Sequence, residues 1–338
     1  ETNTVVASSA CAGSYMSDCK IVNSVSSAIV PACRITLRDN LFEFFGDHAI
    51  YLRSSSYTTH DGSLIVGNRI IQGNTAGRIY GGSARDLVKL ADYSRNIIVS
   101  DNYIEGAIGV NVEVLSRGVS VKNNTFVTSY AGIQVADPDS TGGVNGQSLQ
   151  IAGNRFFDYE TIKGFPNFGA WRTRGVIFSA SVDLLLEDIE ITGNSFRTFN
   201  HGIQDGFNGA SISGGTFNDN KFFNCRLYLY AGESKGNFIK GNKFFGFDSG
   251  LDVRRHTIIE GNYFSGSESA LVKTNGLISS SWTNSRNLDN YAKGGMVLTL
   301  DTSYINKLTW DFPPFVSNPP TKSEVDEILL YLQRTTDN

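Results

Sequence analysis

A short pattern centred on asparagine recurs along most of this chain and constrains its fold more than any other feature. It reads: an apolar residue, any residue, Gly, Asp, Asn or Ser, then Asn, any residue, and an apolar or aromatic residue. The central asparagines are Asn40, Asn68, Asn102, Asn124, Asn154, Asn194, Asn220, Asn242 and Asn262. Gly and Asx residues tolerate positive φ, and an Asn side chain can hydrogen-bond the backbone of a turn. The pattern therefore predicts a stack of equivalent turns.

The spacing of these turns predicts the kind of stack. Successive asparagines are 20 to 40 residues apart, and one coil of a parallel β-helix needs roughly 20 residues. The short intervals are bare coils, and the long ones carry loops. Between the turns, runs such as 109–114 and 132–135 alternate apolar and polar residues, as strands with one buried face do. We therefore predict an all-β, right-handed, single-stranded parallel β-helix.

The repeat divides the chain into three parts. Residues 1–34 lack a clear Asn turn and predict an irregular N-terminal cap, residues 35–275 predict the β-helix, and the pattern stops in 276–338. The last segment ends in a predicted α-helix with an apolar stripe. This helix either packs back on the β-helix or contacts other copies of the chain, and we favour the second. A Cys11–Cys19 disulfide and unpaired thiols both remain open. Because the chain begins at Glu1, we expect it to be processed or excised from a longer protein.

Composition and charge exclude several classes of function. The net charge of -4 argues against a nucleic-acid partner, which needs a basic face. No apolar run approaches the ~20 residues of a membrane span, so we expect no membrane insertion. The cysteines match no zinc spacing, and we expect neither a metal nor another cofactor.

Two long insertions suggest where a ligand binds. They cover 137–148 and 158–175, and loops on a repeat scaffold usually build its binding face. The second contains Trp171, Arg172 and Arg174. Aromatic rings stack on sugars and arginine binds carboxylates, although part of this loop's aromatic content also fits a small core beneath it.

Successive coils also predict a polar row on the outward face of the strands. Besides Lys89, Asn111, Glu113 and Gln134, this row includes His201, Asp205, Tyr228, Tyr230, Asp252 and Arg254. A linear polysaccharide fits such a long, flat surface. We predict that the substrate-binding residues are Trp171, Arg172, Arg174, His201, Tyr228, Tyr230 and Arg254.

The whole pattern, with strings such as 45–51 (Phe-Gly-Asp-His-Ala-Ile-Tyr) and 258–264 (Ile-Ile-Glu-Gly-Asn-Tyr-Phe), resembles bacteriophage tailspike depolymerases and related β-helix enzymes that degrade polysaccharides. The resemblance covers about 35–275. It implies a homotrimer on the virion tail, or a secreted protein, that cleaves bacterial capsule or O-antigen. It also implies a head-binding domain before Glu1. It assigns no catalytic residue.

Three functions remain open. Endo-glycosidic hydrolysis needs two carboxyl groups, and the predicted catalytic residues are Glu113, Asp205 and Asp252, with Glu233 and Asp137 behind them. β-Elimination on a uronic-acid polymer needs a base and a cation, for which His201, Tyr228, Arg254, Arg174 and Lys89 are candidates. The third function is that of a non-catalytic glycan-binding fibre. Hydrolysis is favoured because the row carries carboxylates.

Overall fold

The computed structural model describes residues 13–24, 27–53, 60–72, 86–91, 94–106, 109–136, 146–159, 162, 173–179, 184–197, 201–207, 210–229, 236–245, 250–253, 258–265, 286–288 and 291–293. All paired strands in this part of the chain are parallel, and they form three long sheets. Apart from Ala210–Ser213 and Thr216–Asn218, which both pair with Leu184–Thr192, consecutive strands of the chain lie in different sheets, so the chain winds as a coil whose core lies between the three sheets. Crossover connections between parallel strands are right-handed in nearly all proteins. The predicted right-handed parallel β-helix is confirmed.

Sheet 1 has eight strands, which are Ile50–Leu52 (β5), Asp86–Leu90 (β8), Val110–Val114 (β11), Ala131–Val135 (β14), Arg174–Ser179 (β17), His201–Phe207 (β20), Arg226–Leu229 (β24) and Gly250–Val253 (β27). Sheet 2 has twelve, which are Ser14–Ser17 (β1), Ile35–Arg38 (β3), Leu64–Val66 (β6), Ile98–Ser100 (β9), Ser120–Lys122 (β12), Gly146–Ala152 (β15), Leu184–Thr192 (β18), Ala210–Ser213 (β21), Thr216–Asn218 (β22), Phe238–Lys240 (β25), Ile258–Glu260 (β28) and Arg286–Leu288 (β30). Sheet 3 has eleven, which are Lys20–Ser24 (β2), Leu41–Phe45 (β4), Arg69–Ile71 (β7), Tyr103–Gly106 (β10), Thr125–Thr128 (β13), Arg155–Asp158 (β16), Ser195–Arg197 (β19), Lys221–Phe223 (β23), Lys243–Phe245 (β26), Tyr263–Ser265 (β29) and Tyr291–Lys293 (β31).

The asparagine turns connect sheet 2 to sheet 3 and form a buried ladder. Asn154 is typical, because its Nδ2 donates to Asn194 Oδ1 at 3.0 Å and to the Val121 carbonyl at 2.8 Å. Its own carbonyl-type Oδ1 accepts from the backbone N–H of Asn124 at 2.8 Å. The residue before each ladder asparagine has positive φ, as Gly153 does at 66°. The ladder thus satisfies polar groups that would otherwise be buried without partners.

The residue two positions after each ladder asparagine from Asn40 to Asn242 points into the core, as the sequence predicts. Several of these residues are fully buried phenylalanines, and the rings of Phe126, Phe156, Phe196, Phe222 and Phe244 stack at centroid distances of 4.7 to 5.0 Å. Glycines of sheet 1 make room for this stack. A Cβ on Gly175 would lie 2.5 Å from the carbonyl oxygen of Gly202.

The β-helix extends beyond both predicted boundaries. At the N-terminal end, Ser14–Ser17 and Lys20–Ser24 already pair in parallel with the next coil. Cys19 occupies the place of the ladder asparagine there, and its backbone N–H donates to Asn40 Oδ1 at 3.0 Å. A coil therefore forms without the Asn side chain within the segment for which we predict an irregular cap, and the cap itself stays a prediction.

At the other end, Arg286–Leu288 and Tyr291–Lys293 pair in parallel with the strands of the preceding coil. The β-helix therefore does not stop at residue 275. The predicted C-terminal α-helix lies outside the described residues and remains a prediction. Cys19 carries a free thiol, whose Sγ donates to the Ser17 carbonyl at 3.2 Å, which favours unpaired thiols over the Cys11–Cys19 disulfide.

Candidate active site on sheet 1

Sheet 1 presents a continuous row of outward side chains. Register pairing aligns Lys89, Glu113, Gln134, Ile177, Gln204 and Tyr228, and the row continues to the backbone of Asp252. A second outward row begins at Asp86 and runs through Val110, Ala131, Arg174, His201 and Arg226. The two rows carry acids at one end and cations at the other.

The acidic end is a cluster of three ionisable side chains, which we call the Asp86 cluster: Asp86, Lys89 and Glu113. Lys89 Nζ lies 3.4 Å from Asp86 Oδ2 and contacts Glu113 Oε2 directly. Both acids are buried, with 5 % and 9 % of their surface exposed. The cluster places two carboxyl groups and one ammonium group together with little access to water.

Burial and neighbouring charge change the acidity of this cluster. Burial first, and then the charge of Glu113, raise the pKa of Asp86 from 3.8 to about 7, although Lys89 opposes the shift. Burial by itself disfavours the charged form of Lys89, but its contacts with Glu113 and Asp86 raise the pKa of Lys89. Asp86 is therefore a carboxylic acid that keeps its proton up to near-neutral pH, beside a lysine that remains charged.

A break in strand alternation brings Asp86 and Lys89 onto one face. Residues three apart on a regular strand point to opposite faces. Here both Leu87 and Val88 are fully buried in the core, so the next outward residue after Asp86 is Lys89. Regular strand alternation does not predict the contact between Asp86 and Lys89, so the site predicted from the sequence does not include Asp86.

The cationic end of the face is built around Arg174. Its Nε donates to Gln204 Oε1, and its guanidinium lies 5.6 Å from the ring centroid of Tyr130. Burial raises the pKa of Tyr130, and the charge of Arg174 opposes that rise. The rings of His201 and Tyr228 lie near each other, with centroids 5.0 Å apart. The predicted binding residues Arg174, His201 and Tyr228 are thus close together on one face.

Between the two ends lies a small apolar patch. Val110, Ala131 and Ile177 are buried there and pack with the partly buried Tyr130. Gln134 lies beside this patch, between Glu113 and Ile177 in the row. An extended ligand on sheet 1 would therefore meet carboxyl groups, then an apolar stretch, then a cation and two aromatic or imidazole rings.

The three carboxylates predicted as catalytic do not come together. Asp205 is fully buried rather than outward, because it follows outward Gln204 and takes an inward position. Glu113 lies three strands from Asp205 and five strands from Asp252 along sheet 1. With ~4.8 Å between strands, these separations are roughly 14 and 24 Å, too long for one glycosidic bond. The carboxyl partner of Glu113 is Asp86.

The other predicted residues lie either in the interior of the β-helix or outside the described part of the chain. Asn111 is buried and its Nδ2 donates to the carbonyls of Ile104 and Val127 at 3.1 and 3.0 Å, so it is not part of the outward row. Six candidates lie outside the described residues, namely Asp137, Trp171, Arg172, Tyr230, Glu233 and Arg254.

In the described part of the chain, the His, Cys, Asp and Glu side chains form no group of three or more that could hold a metal ion. The helices of that part of the chain include none that is long and apolar enough to cross a membrane.

Comparisons with known proteins define no family for this chain. No protein-family model matches it, and no curated protein sequence matches it. Among solved structures, it is similar to a mutant of DFA-IIIase from Arthrobacter chlorophenolicus A6, at 12% sequence identity and a TM-score of 0.33, over 81% of this chain and 74% of that chain. A likeness this distant says nothing about activity, and the β-helix assignment rests on the parallel sheets of the chain itself.

Proposed function

We propose that this chain is a polysaccharide-degrading enzyme that hydrolyses glycosidic bonds on the outward face of sheet 1, with Asp86 as the general acid. The observation that supports this proposal is the Asp86 cluster. A general acid works best when its pKa lies near the working pH, and the pKa of Asp86 is raised to about 7. Asp86 thus holds a proton that it can donate to a leaving glycosidic oxygen.

Glu113 supplies the second carboxyl group that hydrolysis requires. Its carboxyl group contacts the Lys89 ammonium, and we assign it as the base that activates water or as the nucleophile. Working carboxyl pairs stand ~5–5.5 Å apart in retaining enzymes and ~6.5–9.5 Å apart in inverting ones. Lys89 Nζ contacts a carboxyl oxygen of Asp86 and one of Glu113, so both carboxyl groups are held beside the same ammonium group.

The rest of sheet 1 provides the length that a polymer needs. Five strand spacings separate β8, which carries Asp86, from β24, which carries Tyr228, a distance of roughly 24 Å. Arg174 near the far end can pair with a carboxylate on an acidic sugar, while Gln134 and Gln204 can bind hydroxyl groups. These groups support an extended oligosaccharide rather than a small ligand.

One observation favours β-elimination as a second candidate. Arg174 stands next to His201 in the register of sheet 1, and His201 lies against Tyr228. A cation that neutralises a uronate and an imidazole that removes the C5 proton are the groups that elimination requires. This arrangement would place the chemistry at the cationic end of the face instead of at the Asp86 cluster.

Product analysis separates these candidates. The protein is incubated with bacterial capsular and O-antigen polysaccharides, and new reducing ends and the ultraviolet absorbance of unsaturated uronates are recorded. We expect reducing ends without that absorbance. An unsaturated product would replace hydrolysis by elimination, and binding without cleavage of any polysaccharide would leave only a glycan-binding fibre.

Substitution of the cluster tests the catalytic assignment. We expect Asp86→Asn and Glu113→Gln each to lower kcat by about 10²- to 10⁴-fold, the usual contribution of a general acid or base, while glycan binding persists. Glu190→Gln is the matched control, because Glu190 is an exposed carboxylate on sheet 2 that accepts a hydrogen bond from Gln150 at 2.9 Å. Full activity in Asp86→Asn would remove Asp86 from the mechanism.

The resemblance to tailspike depolymerases supports a finer proposal about the biological setting. The substrate would be a bacterial surface polysaccharide, either capsule or O-antigen. The protein would act as a homotrimer, on a virion tail or as a secreted enzyme.

A further inference from the structure

Sheet 3 carries a second surface that the proposed chemistry does not use. Its outward side chains over β16 to β26 form what we call the basic–aromatic strip: Arg155, Arg197, Lys221, Phe223, Lys243 and Phe245. The four cations are exposed and the two phenylalanines are partly exposed. Sheet 3 is a different face of the coil from sheet 1, so the strip and the Asp86 cluster are separate surfaces.

Cations form one row of the strip. Arg155, Ser195, Lys221 and Lys243 are cross-strand partners in that order. Lys221 and Lys243 are therefore about 4.8 Å apart at the backbone, and Arg155 lies two strands from Lys221. Like charges directly opposite each other in a sheet are destabilising. Neither lysine forms an ion pair with a described carboxylate, so the arrangement lacks a counter-charge within this part of the chain.

Aromatic rings form the other row. Phe223 and Phe245 stack at 5.0 Å with 16° between their planes, and the Arg197 guanidinium lies 4.5 Å from the Phe223 ring centroid. Tyr263 follows Lys243 in the neighbouring cation row, and its ring lies 6.0 Å from that of Phe245 and is tilted by 52°. Stacked rings are rigid, so a ligand that contacts them loses little side-chain entropy from the protein. Their apolar edges also lower the local dielectric beside the cations, which strengthens attraction to an anion.

Charge on the strip is opposite to that of the chain as a whole. The chain has a net charge of -4, yet the described outward positions of β16, β19, β23 and β26 carry four cations and no carboxylate. The neighbouring turn contributes one exposed acid, Asp219. A basic surface on an acidic protein selects an anionic partner by charge complementarity.

We propose that the basic–aromatic strip is a non-catalytic binding site for a linear acidic polysaccharide that lies along the β-helix axis. Carboxylates of the polymer pair with Lys221, Lys243 and Arg155, and the C–H surfaces of its sugars pack along Phe223 and Phe245. The site holds the polymer on the enzyme while sheet 1 acts elsewhere on it. The strip itself does not depend on which reaction sheet 1 performs.

Charge-neutral variants test this proposal. Binding of wild type and Lys221→Gln/Lys243→Gln to immobilised polygalacturonate and hyaluronan is compared, with neutral dextran alongside. The control is Lys122→Gln/Lys240→Gln, which removes two lysines from the outward face of sheet 2 and loses only the exposed Lys240–Glu260 ion pair. We expect the sheet 3 variant to bind both polyanions about fivefold or more weakly, and the control to bind like wild type.

Further readouts separate this site from the alternatives. We expect binding to weaken as salt rises, because the exposed charges are screened, and dextran binding to be the same in all three proteins. Equal polyanion affinity of wild type and the sheet 3 variant would overturn the proposal, as would tighter binding of single-stranded DNA than of either polyanion. A change of oligomeric state in the sheet 3 variant would make the strip an interface between copies instead. Loss of activity in Asp86→Asn tests only the catalytic proposal for sheet 1 and does not test the binding site on sheet 3.

Discussion

Asp86 combines two properties that rarely occur together, namely near-complete burial and a position beside a second carboxyl group. Burial and the charge of Glu113 raise its pKa to about 7 in the folded protein. The unfolded chain gives Asp its ordinary value of 3.8. The folded state therefore binds more protons than the unfolded state between these two values. The free energy of unfolding must consequently fall as pH rises through this window.

This linkage gives a stability prediction at the residue scale. Between pH 5 and pH 8, ionisation of Asp86 should remove about 2 kcal/mol from the free energy of unfolding. Asp86→Asn cannot ionise there, so its stability should fall by correspondingly less over the same range. Urea denaturation at several pH values, followed by circular dichroism, measures both slopes, and Glu190→Gln serves as the exposed-carboxylate control. Parallel pH dependences in wild type and Asp86→Asn would contradict the raised pKa.

Asp86 also shows which part of the candidate site could not be predicted from the sequence. Glu113 and Lys89 stand out in sequence because regular alternation places both outward. Asp86 does not, since its separation of three residues from Lys89 places it on the opposite face of an ideal strand. Two consecutive inward residues, Leu87 and Val88, reverse that expectation. The predicted outward position of Asp205 is wrong for a related reason. Which residues of β20 point outward depends on the register of the neighbouring strands, and the sequence alone does not give that register.

At the scale of the element, the asparagine ladder is the feature that holds neighbouring coils together. Asn220 Nδ2 donates to the Ile191 carbonyl at 2.9 Å and to Asn242 Oδ1 at 3.0 Å. Its Oδ1 accepts the backbone N–H and the Nδ2 of Asn194 at 2.9 and 3.0 Å. All three asparagines are buried. Removal of one rung therefore leaves buried donors of the preceding rung without a partner.

We expect Asn220→Ala to destabilise the protein by about 3 kcal/mol, because each buried donor left unsatisfied costs ~1–3 kcal/mol. Asn218→Ala is the matched control, since Asn218 lies two residues away, is partly exposed, and its Oδ1 accepts no hydrogen bond. The control should change the free energy of unfolding by less than about 0.5 kcal/mol. Equal effects of the two substitutions, measured by chemical denaturation, would show that the ladder contributes nothing special.

The sequence predicts the asparagine turns well because the same residue type hydrogen-bonds the neighbouring coil at nine of these turns. All nine asparagines selected from the pattern are buried at sheet 2 to sheet 3 turns. The pattern fails where a coil forms with another residue in one of its positions. Cys19 replaces the asparagine in the first described coil, and Asn287 replaces the leading apolar residue before β31. Backbone pairing with the adjacent coil stabilises both of these coils. A short sequence motif cannot predict such pairing, because the pairing involves residues far apart in the chain.

On the scale of the whole molecule, the three faces of the β-helix differ in chemistry. Sheet 1 carries the Asp86 cluster, and sheet 3 carries the basic–aromatic strip. Along one outward row of sheet 2, Tyr15 (65 % exposed), Leu64 and Ile98 (39 % exposed) lie within three strand spacings, with Thr36 between Tyr15 and Leu64. Large apolar side chains exposed in line suggest a surface that another protein covers. In the trimer that we propose, a second copy of the chain is the partner that fits this row.

The trimer gives a prediction that this row can test. Sedimentation velocity should give wild type a mass three times the 36.9 kDa of one chain. Ile98→Asp places a charge in the apolar row, and its desolvation on association should shift the protein towards monomer. Val22→Asp is the matched control, because Val22 is 40 % exposed but lies on sheet 3, and it should remain trimeric. A monomeric wild type would refute the trimer, whereas dissociation by Val22→Asp and not by Ile98→Asp would move the interface to sheet 3 and compete with the glycan site proposed there.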